Sequence, residues 1–307
     1  MHLTGVLLKL RIEQNAEVGN LGALVLEGGT FRPIFSSGVM DALLDYDIEF
    51  PYIIGVSAGI TDGVSYVSKQ KKRNYDILVN HRHDKRYVGI RNYFTDKSLF
   101  GLKFAYERIP DELYPFDWET FLNSKTTIKI GVTNAKTGKA EYHDGQKTER
   151  KNLILRATCA IPLVFPVIKV NGGEYYDGGI CDPIPVRQAQ NDGNEKMLIV
   201  LTRTKGYKKD LSKANVFAAK VLGRKYPKLV KPLLERHNIY NEEVEYCEQL
   251  EREGKALILR PDESVQIDSF EKDIEKIKRV YQYGYDLAVE NIDAIREIAN
   301  HNGCGDA

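Results

Sequence analysis

The sequence predicts an α/β fold built on a mainly parallel sheet, and two observations carry that reading. A β-type apolar run, ALVLE at 23–27, passes straight into a glycine turn and a helical pattern, and the same order repeats with PYIIG at 51–55 and AGITDGVSYVSKQ at 58–70. Strand, glycine turn, helix, strand, glycine turn, helix is the order of βαβα units, whose strands run parallel. Further apolar β-type runs at 127–134 (TIKIGVTN), 197–202 (MLIVLT) and 256–260 (ALILR) extend the sheet.

Each element has a local reason. After Gly28-Gly29-Thr30-Phe31-Arg32-Pro33 comes SSGVMDALLDYD, where Ser36 or Ser37 is expected to cap a helix with Val39, Met40, Leu43 and Leu44 on its apolar face. The stretch FPVIKVNGGEYYDGG reads as a hairpin turning at Asn171-Gly172, since Asn-Gly suits a tight turn with positive φ. From about residue 213 the pattern is mostly helical, and 269–299 reads as one long amphipathic helix or two. Residues 1–20 carry few fold signals and are expected to be an N-terminal extension. No repeat, low-complexity segment or clear linker divides 21–307. A single domain is therefore expected, with its motif-bearing core at 21–205 and a helical portion at 206–307.

Composition limits the function classes. The 307 residues are 42% hydrophobic and 28% charged, the pattern of a globular chain large enough to bury a substantial core. No apolar run approaches the roughly 20 residues of a membrane-spanning helix, and the N-terminus has neither the basic region nor the cleavage site of a secretory signal. Cys159, Cys181, Cys247 and Cys304 are scattered without metal-ligand spacing, so a reduced, cytoplasmic chain without a metal is expected. A net charge of +1 argues against a nucleic-acid partner. Charge is nevertheless uneven. Residues 69–91 hold eight Lys or Arg against two Asp, and residues 202–228 hold nine against one. Solvated faces are the ordinary meaning of such runs; beside one opening they would favour peripheral contact with an anionic membrane.

The chemistry-bearing stretch is Gly55-Val56-Ser57-Ala58-Gly59. In a nucleophile elbow the serine stands at the C-terminal end of a strand, and small flanking residues permit both the strained turn and close helix packing. An attacking serine also needs donors for the oxyanion, and the Gly28-Gly29-Thr30 turn is a loop of backbone N–H groups between strand and helix. GGTFRP fits neither dinucleotide nor P-loop patterns, so a nucleotide site is the weaker use of it.

The proton acceptor is less obvious. His237 lies in a polar helical stretch and His301 in the tail, while His81, His83 and His143 fall in polar segments read as loops. Asp177, in Tyr175-Tyr176-Asp177-Gly178-Gly179, follows a β-type run and precedes two glycines, so its carboxylate can sit on a closely approached turn. An aspartate in a dry site gains the basicity that a free one lacks. A plain Asp-Gly-Gly turn is the structural alternative.

Together LEGGTFRPIFSSGVMDALL, GVSAG and YYDGGICDPIPV resemble the patatin-like phospholipase family in its bacterial branch, in matching order over 23–187. The resemblance implies a three-layer α/β/α fold and a Ser-Asp dyad without catalytic histidine or cofactor. Carried over by motif, Ser57 is the nucleophile and Asp177 the base. Gly29, Thr30 and Ala58 would supply oxyanion N–H groups, and Gly28, Gly55, Gly59, Gly178 and Gly179 are the motif glycines. Arg32 matches the loop's basic residue, which orders the loop or meets a phosphate group. This sequence departs from the motif at Glu27, Thr30 and Pro33; Thr30 keeps its N–H, and Pro33 can open the following helix. The implied activity is a lipid acyl hydrolase acting on a lipid or small acyl ester. A short-chain esterase, an acyltransferase and a non-catalytic lipid-binding module are the alternatives.

Overall fold

The computed structural model describes residues 21–147 and 152–301. The expected N-terminal extension, 1–20, and Cys304 lie outside the described residues. The strands are β1 (Leu21–Leu26), β2 (Tyr52–Val56), β3 (Thr127–Asn134), β4 (Lys139–Asp144), β5 (Ile168–Val170), β6 (Gly173–Asp177), β7 (Asn194–Val200) and β8 (Ala256–Leu259). They form one sheet in the order β5-β6-β3-β2-β1-β7-β8, with β4 paired to β3 off that path. Every pairing from β3 through β8 along that path is parallel. The pairings of β3 with β4 and β6, and of β5 with β6, are antiparallel.

The helices are α1 (Ile34–Asp45), α2 (Ser57–Val67), α3 (Arg73–His81), α4 (Asn92–Thr95), α5 (Trp118–Asn123), α6 (Leu153–Thr158), α7 (Val186–Asn191), α8 (Lys213–Leu222), α9 (Val230–Arg252), α10 (Ile274–Glu290) and α11 (Ile292–Ala299). A π-helical segment covers Phe104–Leu113.

The central strands are apolar throughout because both of their faces are buried. Leu24, Leu26, Ile53, Leu198 and Val200 share a core with Phe35 and Val39 of α1, Ile60 and Val64 of α2, and Ile277 and Val280 of α10. Their alternates Ala23, Val25, Ile54, Met197 and Ile199 pack with Val186 and Ala189 of α7 and Tyr240, Cys247 and Leu250 of α9. Period-two alternation on parallel strands with helices on each side gives three layers, α/β/α. The C-terminal part joins this core directly. β8 extends the sheet beside β7, and α10 lies close against α1, where a Cβ on Gly38 would stand 2.0 Å from the Tyr281 carbonyl oxygen.

Several local expectations are corrected. Ser36 and Ser37 do not cap α1 but lie inside it, because the helix opens one residue after Pro33, whose φ of −60° is already helical. His81 ends α3 and His143 lies in β4, not in loops. Of the two readings of 269–299, one helix or two, the second holds: α10 opens at Ile274 and is separated from α11 at Asn291. At Asn171-Gly172 the hairpin turns as expected, with φ of 49° and 76°.

Candidate active site

β2 ends at Val56, and Ser57 follows with φ of 54°, the left-handed region that a non-glycine residue enters at a cost of about 1–3 kcal/mol. From Ser57 the chain turns directly into α2. The flanking glycines are needed because the end of β1 passes alongside. A Cβ on Gly59 would lie 2.4 Å from the Glu27 carbonyl oxygen, and one on Gly55 would lie 2.9 Å from Leu26 Cβ.

Asp177 reaches that serine through the register of β3. β2 pairs with β3 as far as Val56↔Gly131, and β6 ends with Asp177 opposite Val132. Since β4 fills the other edge of β3 over Lys129–Asn134, β2 and β6 abut end to end along one edge. Ser57 and Asp177, separated by 120 residues, therefore meet, and the Ser57 hydroxyl donates to Asp177 Oδ2 at 2.7 Å. The other carboxylate oxygen, Oδ1, accepts from the Gly179 N–H at 2.8 Å. Gly178 allows the turn to close: a Cβ there would lie 2.3 Å from the Gly131 carbonyl oxygen.

Both side chains are buried. Burial pushes the Asp177 carboxyl above the ordinary carboxylate range, and the Ser57 hydroxyl, Arg236 and the Gly179 N–H oppose that rise. Thr158, at the end of α6, ties the junction together. Its hydroxyl accepts from the Ser57 N–H at 2.8 Å and donates to the Gly131 carbonyl at 2.5 Å.

The glycine turn follows β1 and faces the same serine; a Cβ on Gly28 would lie 2.8 Å from Ser57 Cβ. Thr30 adopts φ of 60° despite its branched side chain. Among the described residues the N–H groups of Gly29 and Thr30 donate to no backbone carbonyl, and Ala58, in the first turn of α2, has no helical acceptor either. Three backbone N–H groups without a backbone acceptor thus lie beside Ser57. Arg32 is buried and holds the loop, with Nε donating to Thr202 Oγ1 at 3.3 Å and Nη1 to Ser269 Oγ. Glu27 accepts from the Thr202 N–H at 2.6 Å, so the longer acid in the motif's opening position fastens β1 to the segment after β7.

Two cavities meet at Ser57. One, of about 150 Å³, is mostly apolar and is lined by Ile34, Ile77, Leu78, Phe100, Ile109 and Phe165, with the π-helical segment adding Ala105 and Tyr106. The second, of about 320 Å³, is mixed in character and carries the charged groups, Asp177, Arg32, Arg203, Lys209 and Arg236 among them, for which it is termed the polar cavity. Thr30 and Ser57 line both, and no histidine among the described residues lines either. Sequence reasoning did not single out Thr158, Arg203, Lys209 or Arg236, and the last three come from segments without a motif. The nearest signal was the 202–228 basic run.

Comparison with known proteins matches the sequence to a family. Residues 226–300 match a domain of unknown function (DUF6363). The chain is 24% identical over 185 residues to "Uncharacterized protein YjjU" of Escherichia coli K12, covering 59% of this chain and 51% of that protein. It thus spans about half the length of that relative. Over 262 residues it is 24% identical to "Probable lipid hydrolase 463L" of Invertebrate iridescent virus 6, covering 75% of this chain and 89% of that one. Among solved structures, VipD from Legionella pneumophila aligns with a TM-score of 0.44 at 15% identity, over 90% of this chain and 67% of that chain. Residues 24–189, more than half of the sequence, match the model of the patatin-like phospholipases, and the chain belongs to the patatin-like phospholipase family.

Proposed function

We propose that the protein is a serine lipid acyl hydrolase, of phospholipase A or lysophospholipase type, acting through a Ser57–Asp177 dyad and an acyl-enzyme. The observation that carries this reading is the 2.7 Å hydrogen bond from the Ser57 hydroxyl to Asp177 Oδ2, inside a buried site with free N–H donors beside it. Asp177 takes the Ser57 proton as Oγ bonds to the ester carbonyl carbon. The negative charge that moves to the carbonyl oxygen is met by the N–H groups of Gly29, Thr30 and Ala58. Collapse breaks the ester C–O bond, and the leaving alkoxide takes the proton from Asp177. Water then gives a proton to Asp177 and attacks the acyl-enzyme. Ser57 departs as the leaving group and recovers the proton, which releases the fatty acid.

The apolar cavity beside Ser57 supports an acyl chain as the group transferred. We assign the protein to a reducing, cytoplasmic compartment, in keeping with free thiols at Cys159, Cys181 and Cys247. There it works peripherally on an anionic membrane surface. No helix among the described residues is long and apolar enough to cross a membrane.

Covalent labelling with a fluorophosphonate probe tests the nucleophile. The wild-type chain is expected to be labelled and Ser57→Ala is not. A folded wild type that takes no label would instead favour the non-catalytic lipid-binding reading.

A further inference from the structure

The polar cavity has a charge imbalance that the dyad does not explain. Arg32, Arg203, Lys209 and Arg236 all line it, and none of them forms an ion pair among the described residues. Three acids line it as well: Asp210 is exposed and pairs with none of the four, and the other two are engaged elsewhere. Glu27 is bonded to the Thr202 N–H, and Asp177 to Ser57 and Gly179. Arg203 Nε is buried with no hydrogen-bond partner. Burial and the neighbouring Arg236, Arg32 and Arg203 push the Lys209 ammonium down to about 7. Unpaired like charges gathered in one cavity repel each other, and a bound anion removes that cost.

The cluster is held in place. The Lys209 backbone exchanges two hydrogen bonds with Asn241 of α9, at 2.8 and 3.0 Å. Arg236 Nε donates to the Gly179 carbonyl at 2.6 Å, which sets its guanidinium two residues from Asp177.

We propose that Arg203, Lys209 and Arg236 form a subsite for a phosphate group carried by the ester substrate, so that the polar cavity takes the phosphoryl head while the apolar cavity takes the acyl chain. The assignment rests on the hydrolase reading and narrows it to acyl esters with an anionic phosphate close to the scissile carbonyl. It also gives a role to the C-terminal segment, which supplies Arg236. A choline head is disfavoured, because the aromatic faces that would receive a quaternary ammonium already hold the protein's own cations: Arg203 lies 4.4 Å from the Tyr207 ring centroid and Lys209 lies 4.1 Å from that of Tyr240.

The test compares three esters of one acyl chain: acylglycerol phosphate, acylglycerophosphocholine and neutral monoacylglycerol. The wild type is expected to favour the phosphate ester. Lys209→Gln and Arg203→Gln are expected to lower the ratio of phosphate-ester to neutral-ester kcat/KM at least tenfold, mainly through KM, and Lys209→Arg to restore it. Near-UV circular dichroism checks that each variant is folded. In a second arm that needs no turnover, inorganic phosphate is titrated into Ser57→Ala by calorimetry, where adding Lys209→Gln should weaken binding at least tenfold. An unchanged ratio in folded variants, or a preference for the choline ester, overturns the proposal. Phosphate binding without preference for the phosphate ester overturns the head-group assignment in favour of a free anion. Failure of all turnover and of fluorophosphonate labelling removes the hydrolase reading, while the calorimetric arm still decides whether the three cations bind phosphate.

Discussion

In the proposed dyad Asp177 has to be ionised to accept the Ser57 proton, and its burial works against ionisation. Below its raised pKa the carboxyl is protonated and cannot act as a base, so kcat/KM is expected to rise with pH on a limb above the usual carboxylate value of about 3.9. For stability the sign is opposite. A folded pKa raised above the unfolded one contributes stability that is complete below the unfolded value and is lost as pH rises through the folded pKa. Asp177→Asn is therefore expected to lower kcat/KM by roughly 10²–10⁴-fold and to raise the unfolding midpoint at neutral pH, checked by ester turnover and denaturant melts on one preparation. A variant that lost both activity and stability would assign Asp177 a structural part instead. Ser57 and Asp177 were legible in the sequence because each sits in a short motif whose glycines are forced by nearby backbone. Arg203, Lys209 and Arg236 were not, because only the packing of α9 against the 203–209 segment gathers them.

At the scale of elements, the site depends on two strands meeting end to end on β3, and Thr158 is the clasp across that junction. Its hydroxyl serves two buried backbone groups, the Ser57 N–H and the Gly131 carbonyl. Thr158→Val keeps the shape and leaves both unpaired, at about 1–3 kcal/mol for each unsatisfied group. The expected result is a loss of unfolding free energy on the order of 2–6 kcal/mol in urea titration, with lower kcat; Thr158→Ser is expected to recover most of both. The parallel strands were readable because doubly buried strands are continuous apolar runs, and Asn171-Gly172 marked its own turn, whereas the polar edge strand β4 was not expected. The abutment of β2 and β6 was not readable, since register is fixed by pairing with β3 and leaves no local trace. The start of α1 was misplaced because a proline already in helical φ displaced the serine caps.

Across the whole molecule, seven of the nine basic residues of the 202–228 run divide between two tasks. Arg203 and Lys209 turn into the polar cavity, while Lys213, Lys220, Arg224, Lys225 and Lys228 stay exposed around α8. The same region exposes Leu211, Val216, Phe217 and Val221, with Phe217 at 59% exposure. Ser212 and Asn215 of this region line the polar cavity, so the apolar and basic surface stands at its rim. Apolar side chains interleaved with lysines on one helix are the composition of an element that adsorbs to an anionic interface. A lipid substrate would then reach Ser57 without crossing water. Burial of a Phe side chain contributes about 1.5–3 kcal/mol, so Phe217→Ser is expected to weaken binding to phosphatidylglycerol vesicles by about tenfold or more. Raising the salt concentration should weaken the wild type as well, because exposed charges are screened beyond about 10 Å at 0.1 M. Vesicle sedimentation measures both effects. Equal binding to phosphatidylcholine and phosphatidylglycerol vesicles would remove the anionic surface as a partner, and turnover of monomeric esters by Phe217→Ser would separate docking from chemistry.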